Sequence, residues 1–160
     1  MSGVARRALE LATLADVVAE AERLLAGGYG RAGNWSLAQC CDHLSHWLTY
    51  PVSGFPKVPL PMRLAFWAAR NTVGRRLLRQ FLERGMKPGT PTLAASVPAP
   101  GGDDAAAVGR LRDAVQRFEA HSGEYLPSPL FGKLSRDESV RVQVGHAAHH
   151  LGFLVPRGAA

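Results

Sequence analysis

Apolar residues recur at helical spacing along most of the chain, and short Pro- and Gly-rich stretches divide them into segments. Leu14, Val17, Val18, Ala21, Leu24 and Leu25 mark one face of a helix that opens near Thr13 and stops at Gly27 and Gly28. Ser36 followed by Gln39 is a capping-box pattern, and the helix it opens runs through His43 toward Thr49, with Pro51 expected to end it. After Pro51, Pro56, Pro59 and Pro61, a helical stretch is expected from about Met62 to Leu82, broken or kinked near Gly74. From Lys87 to Gly102 the composition predicts a long loop without regular structure, of a length that tends to be functional or loosely ordered. Asp103 or Asp104 caps a helix reaching about His121, with Val108, Leu111, Val115 and Phe118 on one face. A turn-rich link over 122–134 leads to Ser135 and Glu138, a second capping box, and to a last helix running to about Leu154. No strand-like alternation and no internal repeat is visible. The expected fold is therefore all-α: four or five helices in one bundle domain spanning residues 1–160.

Charge changes this picture in one place. Between Arg63 and Lys87 stand seven basic residues against the single acid Glu83, which equals the +6 of the whole chain. The rest of the protein is neutral on balance, so the excess is a local basic face. No apolar run approaches the roughly 20 residues of a membrane-spanning helix. Glu10, Asp16 and Glu20 interrupt the region where a secretory signal would be apolar, so a cytoplasmic location is expected. Cys40 and Cys41 are adjacent, a geometry that suits buried packing residues better than a disulfide or a zinc knuckle.

The candidate chemistry lies in the histidines. Five of the six fall in two clusters, His43 and His46 on the second helix and His146, His149 and His150 on the last. His146 and His150 are four positions apart, so both imidazoles reach a common point beyond one helix face. His43, on a stretch with Leu37, Cys40 and Leu44 facing the bundle, is the best third ligand. His46 is one turn away and competes for that role, while the rotation of His149 makes it a rim or supporting residue. Asp42, Glu124 and Tyr125 are available for acid–base work, but no spacing ties them to the histidines.

The run GNWSLAQCCDHLSHW, with Trp35, Ser36, Gln39 and His43, resembles the second-helix signature of the DinB-like superfamily. The run HAAHHLGFL resembles that superfamily's HxxHH motif, whose first and last histidines bind metal. The resemblance implies a DinB-like four-helix bundle with an additional helix, in which His43, His146 and His150 are the ligands. Within the superfamily the chain most resembles a branch catalogued as a domain of unknown function, family 1569. The supporting residues are RRALELATLADVVAEAERL, the GNWS entry, PLFGKLSRDE and HHLGFL. Ser128-Pro129 stands where that branch often has His-Pro, and Ser139 where it often has an aromatic residue; neither touches the ligand positions.

Three neutral imidazoles leave the charge of a divalent ion uncompensated and a coordination position open, the pattern of a catalytic site. Such ligands suit zinc or nickel, with iron or manganese as further candidates. Characterised relatives include thiol-dependent S-transferases and a maleylpyruvate isomerase that use low-molecular-weight thiols such as bacillithiol or mycothiol. The resemblance therefore implies a transferase or hydrolase acting on a small substrate, with a thiol as cosubstrate. Arg75, Arg76 and Arg79 are candidates for binding its carboxylates. Two other classes stand beside this one: a non-catalytic, stress-linked metal-binding protein, and a binder of anionic surfaces through residues 61–87. No nucleic-acid-binding motif is present, and related bundles often form homodimers.

Overall fold

The computed structural model describes residues 5–90 and 92–158, and among them the chain is helical apart from one small ribbon. Helix α1 spans Leu14–Gly27, α2 Leu37–Ser53, α3 Leu60–Thr72, α4 Gly74–Arg84, α5 Asp104–Ala120 and α6 Arg136–Leu151. Local chemistry sets the starts of these helices. Thr13 with Asp16, Ser36 with Gln39 and Ser135 with Glu138 each form a reciprocal capping box, and Asp103 caps α5 by accepting from the Ala106 N–H.

The four longest helices, α1, α2, α5 and α6, bury one core. Leu37, Cys41, Leu44 and Leu48 of α2 belong to it together with Leu111, Val115 and Phe118 of α5, and α1 and α6 close the remaining sides. Both cysteines are free and buried, as packing residues would be. The N-terminus of α2 is held by side chains from elsewhere in the chain. The Ala38 N–H donates to Asp104 (2.8 Å) and the Leu37 N–H to the Tyr29 hydroxyl (2.9 Å), which itself donates to Asp104 (2.9 Å). The helix that carries His43 is thus tied to the start of α5.

Three features differ from the pattern-based expectation. Helix α2 does not end before Pro51 but continues through it to Ser53. Proline has no N–H for the Trp47 carbonyl, and the side-chain amide of Gln143 on α6 takes that carbonyl instead (3.1 Å). The last helix stops at Leu151 rather than Leu154, because Leu154–Pro156 forms strand β2, antiparallel to strand β1 at Tyr29–Arg31. The loop after α4 also carries one 3-10 turn, Ala94–Ser96.

The expected break near Gly74 is present, with Val73 between α3 and α4. Gly74 sits there because a Cβ would lie 2.8 Å from the Leu130 carbonyl oxygen. Its bare backbone lets the α3–α4 elbow rest on the 128–132 turn. No helix among the described residues is long and apolar enough to cross a membrane.

Candidate metal centre

Helices α2 and α6 bring three imidazoles together. His43 Nε2 lies 3.2 Å from His146 Nε2, and His150 Nε2 lies 3.0 Å from the same atom. One nitrogen from each of the three falls within 4.8 Å of the others. Two nitrogens on one ion at 2.0–2.1 Å stand roughly 2.9–3.4 Å apart across octahedral or tetrahedral angles, so both separations are compatible with a shared ion.

The hydrogen bonding points the same way. His43 Nδ1 lies 2.7 Å from the Ser96 carbonyl, which only accepts, so the proton sits on Nδ1 and Nε2 presents a lone pair. His146 Nε2 stands between two other Nε2 atoms, and a single proton there serves only one of those contacts. A cation serves both. This backbone anchor for a ligand ring is the supporting contact typical of metal-bound histidine.

Burial keeps the rings neutral, as ligation requires. His43 is fully buried, and burial lowers it to about 4 against the opposing effect of the Ser96 hydrogen bond. Burial, assisted by His43, His149 and Arg6, lowers His150 to about 3. His146 is held well below the ordinary imidazole range, again chiefly by burial and then by its histidine neighbours.

Aromatic rings pack the set in place. Trp35 stacks on His150, with centroids 5.2 Å apart and planes 10° from parallel, and meets His43 edge-on at 4.9 Å. Trp47 meets His146 edge-on at 5.5 Å. The Trp at the entry to α2 thus contacts two rings of the triad directly.

His146 and His150 form part of the wall of a cavity of about 770 Å³. The wall is largely aromatic and aliphatic, with Trp35, Trp47, Phe66, Phe81, Phe131 and Phe153 prominent. Helices α3 and α4 and the 128–131 turn cover its outer side. Cys40 also faces it, but burial raises that thiol to about 12, so it remains protonated at neutral pH.

The other candidate residues are placed differently. His46 is exposed and pairs with the Tyr50 ring, away from the triad. His149 is buried in the cavity wall, packs edge-on against His150 and donates from Nδ1 to the Met86 carbonyl (3.1 Å). It supports the His150 ring and pins the segment after α4. Arg75, Arg76 and Arg79 are exposed on the outer face of α4, and none lines the cavity. The reason is helical phase: α4 turns Leu78 and Phe81 inward, and Arg75 is spent on Glu138 (2.6 and 3.2 Å). Asp42 pairs with Arg110, Glu124 with Lys133, and the Tyr125 hydroxyl donates to the Phe118 carbonyl. Pattern reading missed the Ser96 carbonyl and the roles of Trp47 and Gln143. A backbone acceptor carries no residue-type signal, and the other two act through contacts between helices.

Fold and site together define a helical protein with a three-histidine centre able to hold a metal ion. Over residues 3–157 the chain matches the family described as Protein of unknown function (DUF1569), and it belongs to that family. No curated protein and no solved structure matches it.

Proposed function

We propose that the protein is a metal-dependent enzyme of the DinB-like type, a transferase or hydrolase whose small substrate enters the cavity beside the triad. His43, His146 and His150 would hold one divalent ion, zinc or nickel before iron or manganese. The observation that carries this reading is the placement of two of the three imidazoles in the wall of a cavity of about 770 Å³. A centre serving only to staple helices needs no such space.

Bound by three neutral imidazoles, the ion would supply a Lewis-acid charge that lowers the pKa of a water or a thiol at its open position. The chain's own groups supply the rest. Ser96 holds the His43 tautomer, Trp35 fixes the His150 plane, and Trp35 and Trp47 keep bulk water from the ligand set. The test is elemental mass spectrometry on tag-free protein beside a His146→Ala/His150→Ala variant and a His46→Ala variant. About one transition-metal ion per chain is expected in wild type and in His46→Ala, and none in the double variant. Protein that contains no metal and takes up neither zinc nor nickel would end the reading.

A second reading has its own observation. Helix α3 buries no residue, and Leu60, Leu64 and Trp67 are 62%, 58% and 59% exposed on one side of it, flanked by Arg63 and Arg70. Exposed apolar residues edged by arginines suit an anionic lipid surface. Co-sedimentation with phosphatidylglycerol but not phosphatidylcholine vesicles, lost in Leu64→Ser/Trp67→Ser, would support it. A homodimer that buries this face in solution would replace it.

A further inference from the structure

We propose that the cavity beside the triad takes an uncharged, predominantly aromatic substrate, and not a carboxylate-bearing one. The inference rests on the enzymatic reading only in calling the occupant a substrate. Its basis is the wall itself. Among the described residues that line the cavity, none is Asp, Glu, Lys or Arg. The arginines of α4 point away from it, and Arg6, with its guanidinium carbon 5.0 Å from the Phe153 centroid, is exposed and outside the lining.

The polar groups of the wall are largely committed to the protein's own structure. The Gln143 amide donates to the Trp47 carbonyl, and the Ser128 hydroxyl oxygen accepts from the Leu130 and Phe131 N–H groups. The Thr90 hydroxyl donates to the Lys87 carbonyl, and Thr92 pairs with Ser96. His149 is engaged with the Met86 carbonyl. The donors left open are the buried Trp47 indole N–H and the amide of the exposed Asn34, both neutral, and they do not repay an anion for the water it would lose.

Beyond those two neutral donors, what the wall offers is ring surface. Phe66 enters from α3, Phe81 from α4, Phe131 from the turn and Phe153 from beyond α6. A cavity of about 770 Å³ lies within the range of small-molecule sites, and rings that meet face or edge would hold a flat ligand. The one strong polar anchor is the triad end of the cavity, so the substrate carries its reactive polar group there and its aromatic part toward Phe66 and Phe81.

Two fluorescent probes with one skeleton test this: neutral N-phenyl-1-naphthylamine, and 1-anilinonaphthalene-8-sulfonate, which adds a sulfonate. Both are titrated into metal-stripped and zinc-loaded protein at high salt, which screens the exposed arginines. The neutral probe is expected to saturate at one site and to bind at least about tenfold tighter than the sulfonate in both preparations. Phe66→Asp places a charge in the wall from a helix that buries no residue, and is expected to abolish binding. Trp67→Ser, on the outer face of α3, is expected to leave it unchanged. Should Phe66→Asp fail to fold by circular dichroism, Phe66→Trp is the second variant, expected to weaken binding by filling space. Equal binding of the two probes would overturn the proposal. So would binding that survives the Phe66 variants and disappears in Trp67→Ser. Neutral-probe binding as expected in protein that takes up no metal would sustain the ligand class while ending the metal reading.

Discussion

The side-chain amide of Gln143 on α6 donates to the backbone carbonyl of Trp47 on α2, the carbonyl that Pro51 leaves without a helical partner. This one contact lets α2 run past its proline and ties it to α6 one turn from His43 and His146. Gln143→Leu keeps the bulk but strands the carbonyl, and is expected to cost about 1–3 kcal/mol in urea unfolding. Adding Pro51→Ala restores an N–H at position 51, so the double variant should recover most of that loss. If the two substitutions prove additive, Gln143 contributes packing alone.

Acid should destabilise the metal-free protein through the triad. Unfolded imidazoles titrate near 6.5, whereas burial holds His43 at about 4 and His150 at about 3 in the folded chain. Between those values the unfolded chain binds more protons, so stability is full above about pH 6.5 and falls as the pH drops. Each buried histidine adds a slope of up to about 1.4 kcal/mol per pH unit in that window. Urea midpoints of metal-stripped protein at pH 7, 6 and 5, beside His43→Leu/His150→Leu, would measure it. An unchanged slope in the variant would show that other groups cause the acid sensitivity.

How far the fold was legible depended on how local each signal is. The starts of α1, α2, α5 and α6 could be read because a capping residue and its partner lie three positions apart, and the helical periodicity follows at once. The triad could be read in part for the same reason, since His146 and His150 share one helix face. The passage of α2 through Pro51 could not, because its compensation comes from Gln143, far away in sequence. Nor could the β1–β2 ribbon: three residues make no period, and its strands come from opposite ends of the chain. The basic excess of 63–87 was visible as a number. Which way Arg75, Arg76 and Arg79 point depends on how α4 packs on α6.

The loop between α4 and α5 should prove part of the centre. Its Ser96 carbonyl holds His43 Nδ1, and its Pro98 carbonyl accepts from Gln39 Nε2 (3.2 Å), so it grips α2 at two points one turn apart. Replacing residues 93–98 with a Gly-Ser linker of equal length removes both acceptors' fixed positions without touching a ligand. Zinc affinity, by competition with a chromophoric chelator, is expected to fall about 10–100-fold while circular dichroism remains helical. Affinity equal to wild type would mean that the helices alone orient the ring.

Gly74 provides a test of how the cavity is closed. It is buried at the α3–α4 elbow, where an added Cβ would stand 2.8 Å from the Leu130 carbonyl and 3.4 Å from that of Phe131. Those are backbone atoms of the turn whose Ser128, Pro129, Leu130 and Phe131 line the cavity, so the clash cannot be relieved by a side-chain rotation. Gly74→Ala gains helix propensity of about 1 kcal/mol at an exposed site, yet here the elbow must lift from the turn. The expected net effect is destabilisation by about 1–3 kcal/mol, the usual cost of overpacking. Metal content should be unchanged, because the proposed ligands stand on α2 and α6 and the atoms nearest an added Cβ belong to the Leu130–Phe131 turn. Weaker binding of the neutral aromatic probe with an intact metal centre would locate the effect in the cavity's outer wall. Loss of metal in Gly74→Ala would instead mean that α3 and α4 brace the triad as well as covering it.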